Sequence, residues 1–377
     1  MDFNYSEEQQ MLADTVGRFI DKDYGFERRR ELSRSAAGFS EDNWKLFAEL
    51  GLLALNVSEE FGGMGGGAVE TLIVMEAFGR GLVVEPYLPT AVVAAGLIGA
   101  AGSAAQKDAL LGAIAEGSRR FALAALEPQG RFDLCEVATT ATASADGFIL
   151  NGRKSVVQGG GSAASLIVSA RTAGGSSDKQ GISLFLVDAA APGVTVGDFP
   201  TIDGMRAAEV TMHDVAVGAD ALLGSLGGSY EVLEAAVDRG IAALCAEAVG
   251  AMSRLIDATA EYLRTRMQFG KPIGSFQALQ HRAADMLVAL EQSRSAALMA
   301  AAKVDADDAA ERRAVVSAAK AIVGRAGRSV GQAAVQLHGG MGMTDELAVG
   351  YYFKRLTCID MTWGNSEHHI ERYAEQL

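Results

Sequence analysis

Arg266-Met267-Gln268-Phe269-Gly270-Lys271-Pro272-Ile273 places a guanidinium, an aromatic ring and an amide at the junction of two helices. Gly270 relaxes the backbone and Pro272 cannot donate a helical hydrogen bond, so a long amphipathic helix has to stop here. Ser275 is an N-cap candidate for the restart through Phe276-Gln277-Ala278-Leu279-Gln280. An arginine held at a helix end, with a ring at Phe269 and amides at Gln268 and Gln277, suits a diphosphate that carries a flat heterocycle. Taken alone, R-x-x-F-G is equally a helix hairpin with a surface arginine.

Other candidate chemistry is weaker. His368-His369 near Glu367 and Glu371 could suggest a metal, but adjacent histidines on a helix point in different directions. They read as a surface pair, and no metal site is expected. His338 reads as a packing or hydrogen-bonding residue, and Glu127 before Pro128 as a loop residue and not a catalyst. The cluster Gly62-Gly63-Met64-Gly65-Gly66-Gly67 does not have the spacing of a dinucleotide loop, and no strand precedes it; it reads as a turn before a helix at Thr71–Glu76. There is no G-x-S-x-G, so a serine-elbow thioesterase has no support.

Composition narrows the class. The 377 residues carry a net charge of −14, which argues against nucleic acid as a partner. Hydrophobic residues make up 49%, rich enough to point to apolar surface hidden in subunit contacts. The longest apolar run, Ala91 to Gly102, is too short to span a membrane. Met1-Asp2-Phe3-Asn4-Tyr5 lacks the regions of a signal peptide. Cys135, Cys245 and Cys358 are far apart and read as reduced thiols, so a cytoplasmic setting is expected.

The elements change character twice along the chain. Ser6-Glu7-Glu8-Gln9 is a capping box, and Ser40 can cap a helix through Trp44, Phe47 and Leu50 that Gly51 ends. From about Phe121 to Leu223, β-branched residues alternate with polar ones. Asp146-Gly147, Asn151-Gly152 and Ala191-Pro192-Gly193 punctuate that stretch as turns, so an antiparallel sheet is expected. Helices return after Ser229, after Ser275 and after about Asp308, the last ending at His338-Gly339-Gly340. Long helices with short connections make a bundle. The expected fold is α+β: a helical domain at 1–118, a middle antiparallel β domain at 119–225 and a four-helix-bundle-like domain at 226–377.

That order, and the motifs along it, resemble the acyl-CoA dehydrogenase family over nearly the whole chain. Ser58-Glu59-Glu60-Phe61-Gly62-Gly63-Met64-Gly65 is similar to the family's E-E-x-G-G-x-G turn, and Gly204-Met205-Arg206 through Leu222-Leu223-Gly224 to the close of its sheet domain. Arg266 through Asp285 matches R-x-x-F-G-x-x-I-x-x-x-Q, and Gln336-Leu337-His338-Gly339-Gly340-Met341-Gly342 matches Q-x-x-G-G-x-G. Within the family the chain resembles the small subunit of bacterial pimeloyl-CoA dehydrogenases. The resemblance implies FAD as cofactor, an acyl-CoA substrate, fatty acid degradation, an electron-transferring flavoprotein as electron acceptor and a tetramer. It implies that a carboxylate takes the α-proton while hydride leaves the β-carbon for the flavin. It also implies that Arg266, Gln268, Phe269, Gln277, Gln336, Gly339, Gly340 and Asn365 bind cofactor, largely the ADP part of a neighbouring chain's FAD.

The other half of the family's site is altered. Where most members carry a glutamate before a glycine, this chain has Trp363 before Gly364, and the alternative base position on the preceding long helix matches Gly240. Glu367 and Asp238 are the nearest fallback carboxylates. The residues that should meet the flavin become Leu126, Phe132, Val156 and Gln158, and the family's Arg-Asp becomes Lys354-Arg355. Losing a general base costs about 10² to 10⁴ in rate. Three readings follow: a base-lacking partner in a heteromeric enzyme, a self-contained homotetramer with a displaced base, or a flavin-free scaffold.

Overall fold

Local signals start most helices where the sequence places them. The structure, a computed structural model, describes residues 5–376, so Met1–Asn4 and the leader reading that rests on them lie outside the described residues. Helix α1 (Glu7–Asp23) opens on the expected capping box: Gln9 N donates to Ser6 Oγ at 3.2 Å and Ser6 N to Gln9 Oε1 at 3.0 Å. Helix α2 (Phe26–Arg34) has little apolar periodicity and was not anticipated; its Arg29 is buried, with Nε donating to Leu82 O. Ser40 caps α3 (Glu41–Glu49) through Asn43 N. The glycine cluster is a loop before α4 (Ala68–Gly81), followed by a buried π-helical stretch Leu88–Ala94, α5 (Ala95–Ala101) and α6 (Ala104–Ala115).

The middle of the chain is one sheet of eight strands: β1 (Phe121–Ala124), β2 (Thr140–Ser144), β3 (Gly147–Gln158), β4 (Ser165–Arg171), β5 (Ile182–Asp188), β6 (Val194–Pro200), β7 (Arg206–Gly218) and β8 (Leu222–Leu223). The order is β6-β7-β3-β2-β4-β5-β8, with β1 beside β4. Pairing is antiparallel except β1 with β4 and one β2–β4 contact. Asp146-Gly147 does turn the chain from β2 into β3, but Asn151-Gly152 does not. It lies inside β3 at a register shift, with the Asn151 amide and Asp214 bonded in both directions across to β7. A Cβ on Gly152 would fall 2.6 Å from Thr139 Cα, so this glycine serves a close approach within the sheet and not a hairpin.

Leu150, Val157, Leu166, Val168, Phe185 and Val210 are fully or almost fully buried in the sheet core. One ion pair is buried with them. Lys154 Nζ meets Glu127 Oε1 at 2.6 Å, Ser169 Oγ at 3.0 Å and Ala125 O at 3.3 Å, while Glu127 also accepts from Ala138 N and Thr139 N. Burial alone would raise the Glu127 pKa, but the Lys154 charge and the accepted hydrogen bonds bring it down to about 2. Glu127 is therefore a buried structural anchor, a role its place in a loop before Pro128 did not announce.

The rest is helical: α7 (Tyr230–Thr265), the short hairpin β9 (Met267–Gln268) and β10 (Lys271–Pro272), α8 (Gln277–Lys303), α9 (Ala309–His338), α10 (Val349–Met361) and α11 (Ser366–Ala374). Helix α9 starts where expected, and Asp308 is its N-cap. Helix, then sheet, then helix gives the expected α+β class. By contacts, the chain forms two compact units. One holds the chain up to Glu31, Ala68–Val83 and Ile241–Leu377; the other holds Leu32–Gly67 and Val84–Gly240. In the first unit α4 and α7 cross backbone to backbone: a Cβ on Gly79 would lie 1.9 Å from Glu247 O, and one on Gly250 would lie 1.8 Å from Glu76 O.

Replacing Lys154 by Met leaves Glu127 buried without its counter-ion, and urea titration should show a loss of about 3–5 kcal/mol. Because the folded pKa of Glu127 is depressed, its contribution is full above the unfolded value near 4.3 and is lost as pH falls toward about 2. The difference in melting temperature between wild type and Glu127→Gln should shrink over that window; a difference constant with pH would contradict the pairing.

Candidate functional site

The sequence signature at Arg266 folds into a hairpin that leaves its side chains outward. Arg266 N donates to Tyr262 O at 2.9 Å, continuing the last turn of α7, and Ile273 N donates to Arg266 O at 2.9 Å, closing the loop behind it. Gln268 pairs with Lys271 and Met267 with Pro272, so the turn is the two residues Phe269 and Gly270. Both are left-handed, with φ of +52° and +73°, as a tight hairpin turn requires. Glycine adopts this freely, whereas a phenylalanine there stores strain of order 1–3 kcal/mol. Its ring is 90% exposed. Strain and an uncovered aromatic coincide at one residue.

Around that ring, Phe276 sits edge-on at 6.0 Å and Lys271 Nζ lies 4.4 Å above the Phe276 ring. Arg266 is exposed, and among the described residues no ion pair engages its guanidinium. Gln277, also exposed, is the first residue of α8. The Gln268 amide is exposed and folds back to Met267 O. Ser275 is not the cap of α8: its hydroxyl turns back to Pro272 O at 2.8 Å, and Phe276 takes the N-cap position with no side-chain bond. The proline that stops the preceding segment also captures the expected capping hydroxyl.

The second signature closes α9. Gly339 N donates to Gln336 O, and Gly339 has φ +58° and ψ −139°, a conformation open essentially to glycine alone. No atom lies within 4 Å of a Cβ built on Gly339 or Gly340, so this backbone is bare on that side. Gln336 is exposed. His338 is buried, as a packing residue should be, with Nδ1 donating to Ala334 O at 2.8 Å. Its ring stacks on Tyr262 with centroids 4.4 Å apart and planes 27° from parallel. Tyr262 was not singled out in the sequence. Its only signal is its place one helical turn before Arg266.

The turn that should carry a base runs from Thr362 to Asn365, between α10 and α11. Trp363 is left-handed at φ +52°, and Gly364 follows at φ +112°. Lys320 of α9 is fully buried beneath this turn and donates to three carbonyls: Asp360 O at 2.8 Å, Thr362 O at 3.0 Å and Gly364 O at 2.5 Å. Burial lowers its pKa to about 8, although Cys245 and Asp360 act the other way. Asp360 Oδ1 accepts from Ser366 N and Oγ, and Asp360 Oδ2 from Arg328.

His369 is not a surface residue, which corrects the reading of His368-His369 as a surface pair. It is buried, with Nε2 donating to Trp363 O at 3.1 Å and Nδ1 facing Ser317 Oγ at 3.3 Å. Burial, then the Lys320 charge, pull its pKa down to about 2, so it stays neutral. The two histidine rings pack edge to face, with centroids 5.2 Å apart and planes at 87°. Among the described residues no group of three His, Cys, Asp or Glu could hold a metal ion.

The fallback carboxylates lie in different settings. Glu367 is exposed in the first turn of α11. Asp238 on α7 is fully buried and already engaged, two residues before the buried Gly240. Asn365 caps α11, its Oδ1 accepting from His368 N at 3.0 Å. One buried carboxylate not foreseen, Glu247, lies two turns along α7 from Gly240. It is held bidentately by Arg355 at 2.5 and 2.7 Å, which is what the Lys354-Arg355 departure provides.

In the sheet, three of the four wall residues are apolar. Leu126 is half-buried and contributes its carbonyl to Ser155 N; Phe132 is half-buried; Val156 is 51% exposed. Val156 sits in the β3 bulge between Lys154 and Val157 at φ +51°, a backbone state unusual for a β-branched residue. Leu126, Phe132 and Val156 offer no side-chain donor to a flavin edge, and the half-buried Gln158 at the end of β3 is the one amide among the four, so this wall offers a flavin fewer donors than the resemblance implies. The Arg266 hairpin and the Gly339-Gly340 turn do fit the ADP part: an uncovered ring, a free guanidinium and open backbone.

Three domain models match in order along the chain: acyl-CoA dehydrogenase N-terminal domain over residues 6–118, middle domain over 122–215 and C-terminal domain over 228–377. The chain is 30% identical over 383 residues to an acryloyl-CoA reductase (NADH) of Anaerotignum propionicum, covering all of this chain and 96% of that protein. Its fold superimposes with a TM-score of 0.91 on a chain of the ChsE4-ChsE5 complex from Mycobacterium tuberculosis, at 28% identity, covering 100% of this chain and 98% of the other. It superimposes on the FAD complex of PigA with a TM-score of 0.90 at 27% identity, covering 100% and 99%. The protein belongs to the acyl-CoA dehydrogenase family of oxidoreductases. No helix among the described residues is long and apolar enough to cross a membrane.

Lys320→Met would orphan three buried carbonyls at about 1–3 kcal/mol each. Amide exchange at Trp363–Asn365 should speed up by orders of magnitude while exchange in β3–β5 stays unchanged. Unchanged protection of the turn would contradict the cage.

Proposed function

We propose that this chain is the base-lacking subunit of a heteromeric, FAD-dependent acyl-CoA dehydrogenase, assembled as α₂β₂ with a second chain of the family. The observation that carries it is the contrast between a strained, outward Phe269 beside a free Arg266 and a base turn in which Trp363 is locked. FAD, when bound, supplies the acceptor for the hydride that leaves the substrate β-carbon. In this reading Arg266 offers paired donors to the pyrophosphate and Phe269 an apolar face to the nucleotide. Gly339 and Gly340 admit its close approach, and Gln268, Gln277, Gln336 and Asn365 add amides. The base and the flavin-facing donors come from the partner chain. The heteromeric ChsE4-ChsE5 complex supports such an assembly. So does the likeness to pimeloyl-CoA dehydrogenase small subunits. The substrate is an acyl-CoA, the electron acceptor an electron-transferring flavoprotein and the setting the cytoplasm.

A self-contained homotetramer is the second reading, favoured only by the exposed Glu367 three residues beyond Gly364. Glu367→Gln would then abolish turnover with FAD retained. Asp238, buried and engaged, is the poorer candidate.

Flavin content separates the readings. Purified alone, the chain should hold little FAD and form no enoyl-CoA; with its partner chain, it should form a yellow, active complex. Full activity alone would refute the heteromeric proposal, and a colourless complex at saturating FAD would favour a scaffold. In the complex, Arg266→Ala removes charge-assisted bonds worth about 1.5–3 kcal/mol each, so FAD affinity should fall at least tenfold. Gly340→Ala should also weaken FAD binding while leaving folding within about 0.5 kcal/mol, because nothing crowds that Cβ.

A further inference from the structure

The two signatures are far apart in sequence, yet one residue, Tyr262, contacts both, through its backbone carbonyl on one side and its ring on the other. The Tyr262 carbonyl accepts from Arg266 N at 2.9 Å and so fixes the backbone of the arginine. The Tyr262 ring stacks on His338 at 4.4 Å, and His338 is the residue immediately before Gly339. His338 cannot easily swing away, since its Nδ1 is committed to Ala334 O at 2.8 Å and its ring is buried. A continuous chain of contacts therefore runs from Arg266 through Tyr262 and His338 to the open turn at Gly339-Gly340.

We propose that Tyr262 and His338 are positioning residues: their stack sets the distance between the Arg266 hairpin and the Gly339-Gly340 turn, and so the affinity for the ADP moiety of FAD. The inference rests on the reading that these two segments grip FAD. Neither residue touches the reacting atoms, and their effect should appear in binding and not in the chemical step. A ring stack is worth about three- to tenfold in an equilibrium, so that is the scale expected.

The test uses the complex of this chain with its partner, stripped of flavin, and measures FAD affinity by fluorescence titration with ADP as a competing probe. Tyr262→Leu should weaken FAD and ADP by the same factor, with the melting temperature of the complex little changed; His338→Ala should weaken both as well, but also lower the melting temperature because it empties a buried site. Tyr262→Phe, which keeps the stack, should bind both as wild type does. Amide exchange at residues 339–343 should rise only in the variants that lose the stack. Wild-type affinity in Tyr262→Leu, or an equal loss in Tyr262→Phe, overturns the proposal. Arg266→Ala in the same assay separates the failures. If it weakens both ligands while Tyr262→Leu does not, only the positioning role falls; if it too changes nothing, the reading that these two segments grip FAD falls with it.

Discussion

A buried ammonium served only by backbone is the constraint on which the C-terminal end of this protein depends. Lys320 has three donors, and the carbonyls of Asp360, Thr362 and Gly364 accept all of them. An unpaired buried charge is too costly to tolerate, so these three carbonyls cannot disperse. Their convergence forces the chain between α10 and α11 to wrap the lysine, with Trp363 and Gly364 at positive φ. His369 and Ser366 then fasten the same turn from the α11 side. The turn thus holds its shape independently of what residue 363 is. A carboxylate could vanish from this position without disturbing the fold, and the shape of the turn does not testify to its chemistry.

The hairpin after α7 shows the opposite economy. Its backbone is closed by Arg266 and Ile273, yet an aromatic ring is left 90% exposed in a strained conformation. A lone chain gains nothing from either feature. Apolar surface of this kind is stabilised only when something covers it, and an uncovered ring beside a free guanidinium is suited to a flat, anionic ligand presented from outside.

Much of this was legible in the sequence, where the determining contacts are local. The caps at Ser6, Ser40 and Asp308 act within three residues, and each helix begins where they stand. The same local logic misled at Asn151-Gly152, because a bulge and a tight turn ask for the same residue types. It also misled at Ser275, whose hydroxyl found Pro272 O before it could cap α8. His369 was misplaced because its burial depends on Ser317 and Trp363, not on its neighbours along α11. The Lys320 cage, the Glu247–Arg355 pair and the Tyr262–His338 stack join residues 40 or more apart, and no spacing rule announces them. Arg266, Phe269, Gly339 and Gly340 were readable as types. The residue that ties them together was not.

The sheet and the C-terminal helices lie in different compact units, yet in both the groups expected from the resemblance are missing from a well-held backbone. In the sheet, Lys154 and Glu127 still anchor the start of the wall, and the β3 bulge still turns residue 156 out, but Leu126 and Val156 bring no donor. At the helical turn, Lys320 still shapes the loop, but residue 363 brings no carboxylate. In both places the backbone frame is held by a buried charge, while the residue at the expected chemical position is exposed or half-buried and does not carry the frame. That argument accounts for the losses without any partner, and by itself would suit a scaffold. It does not account for Phe269. No buried charge compels a phenylalanine to sit at φ +52° in solvent, and a glycine or asparagine would relieve the strain. A nucleotide seated on that ring, as in the proposed assembly, would account for keeping an aromatic there.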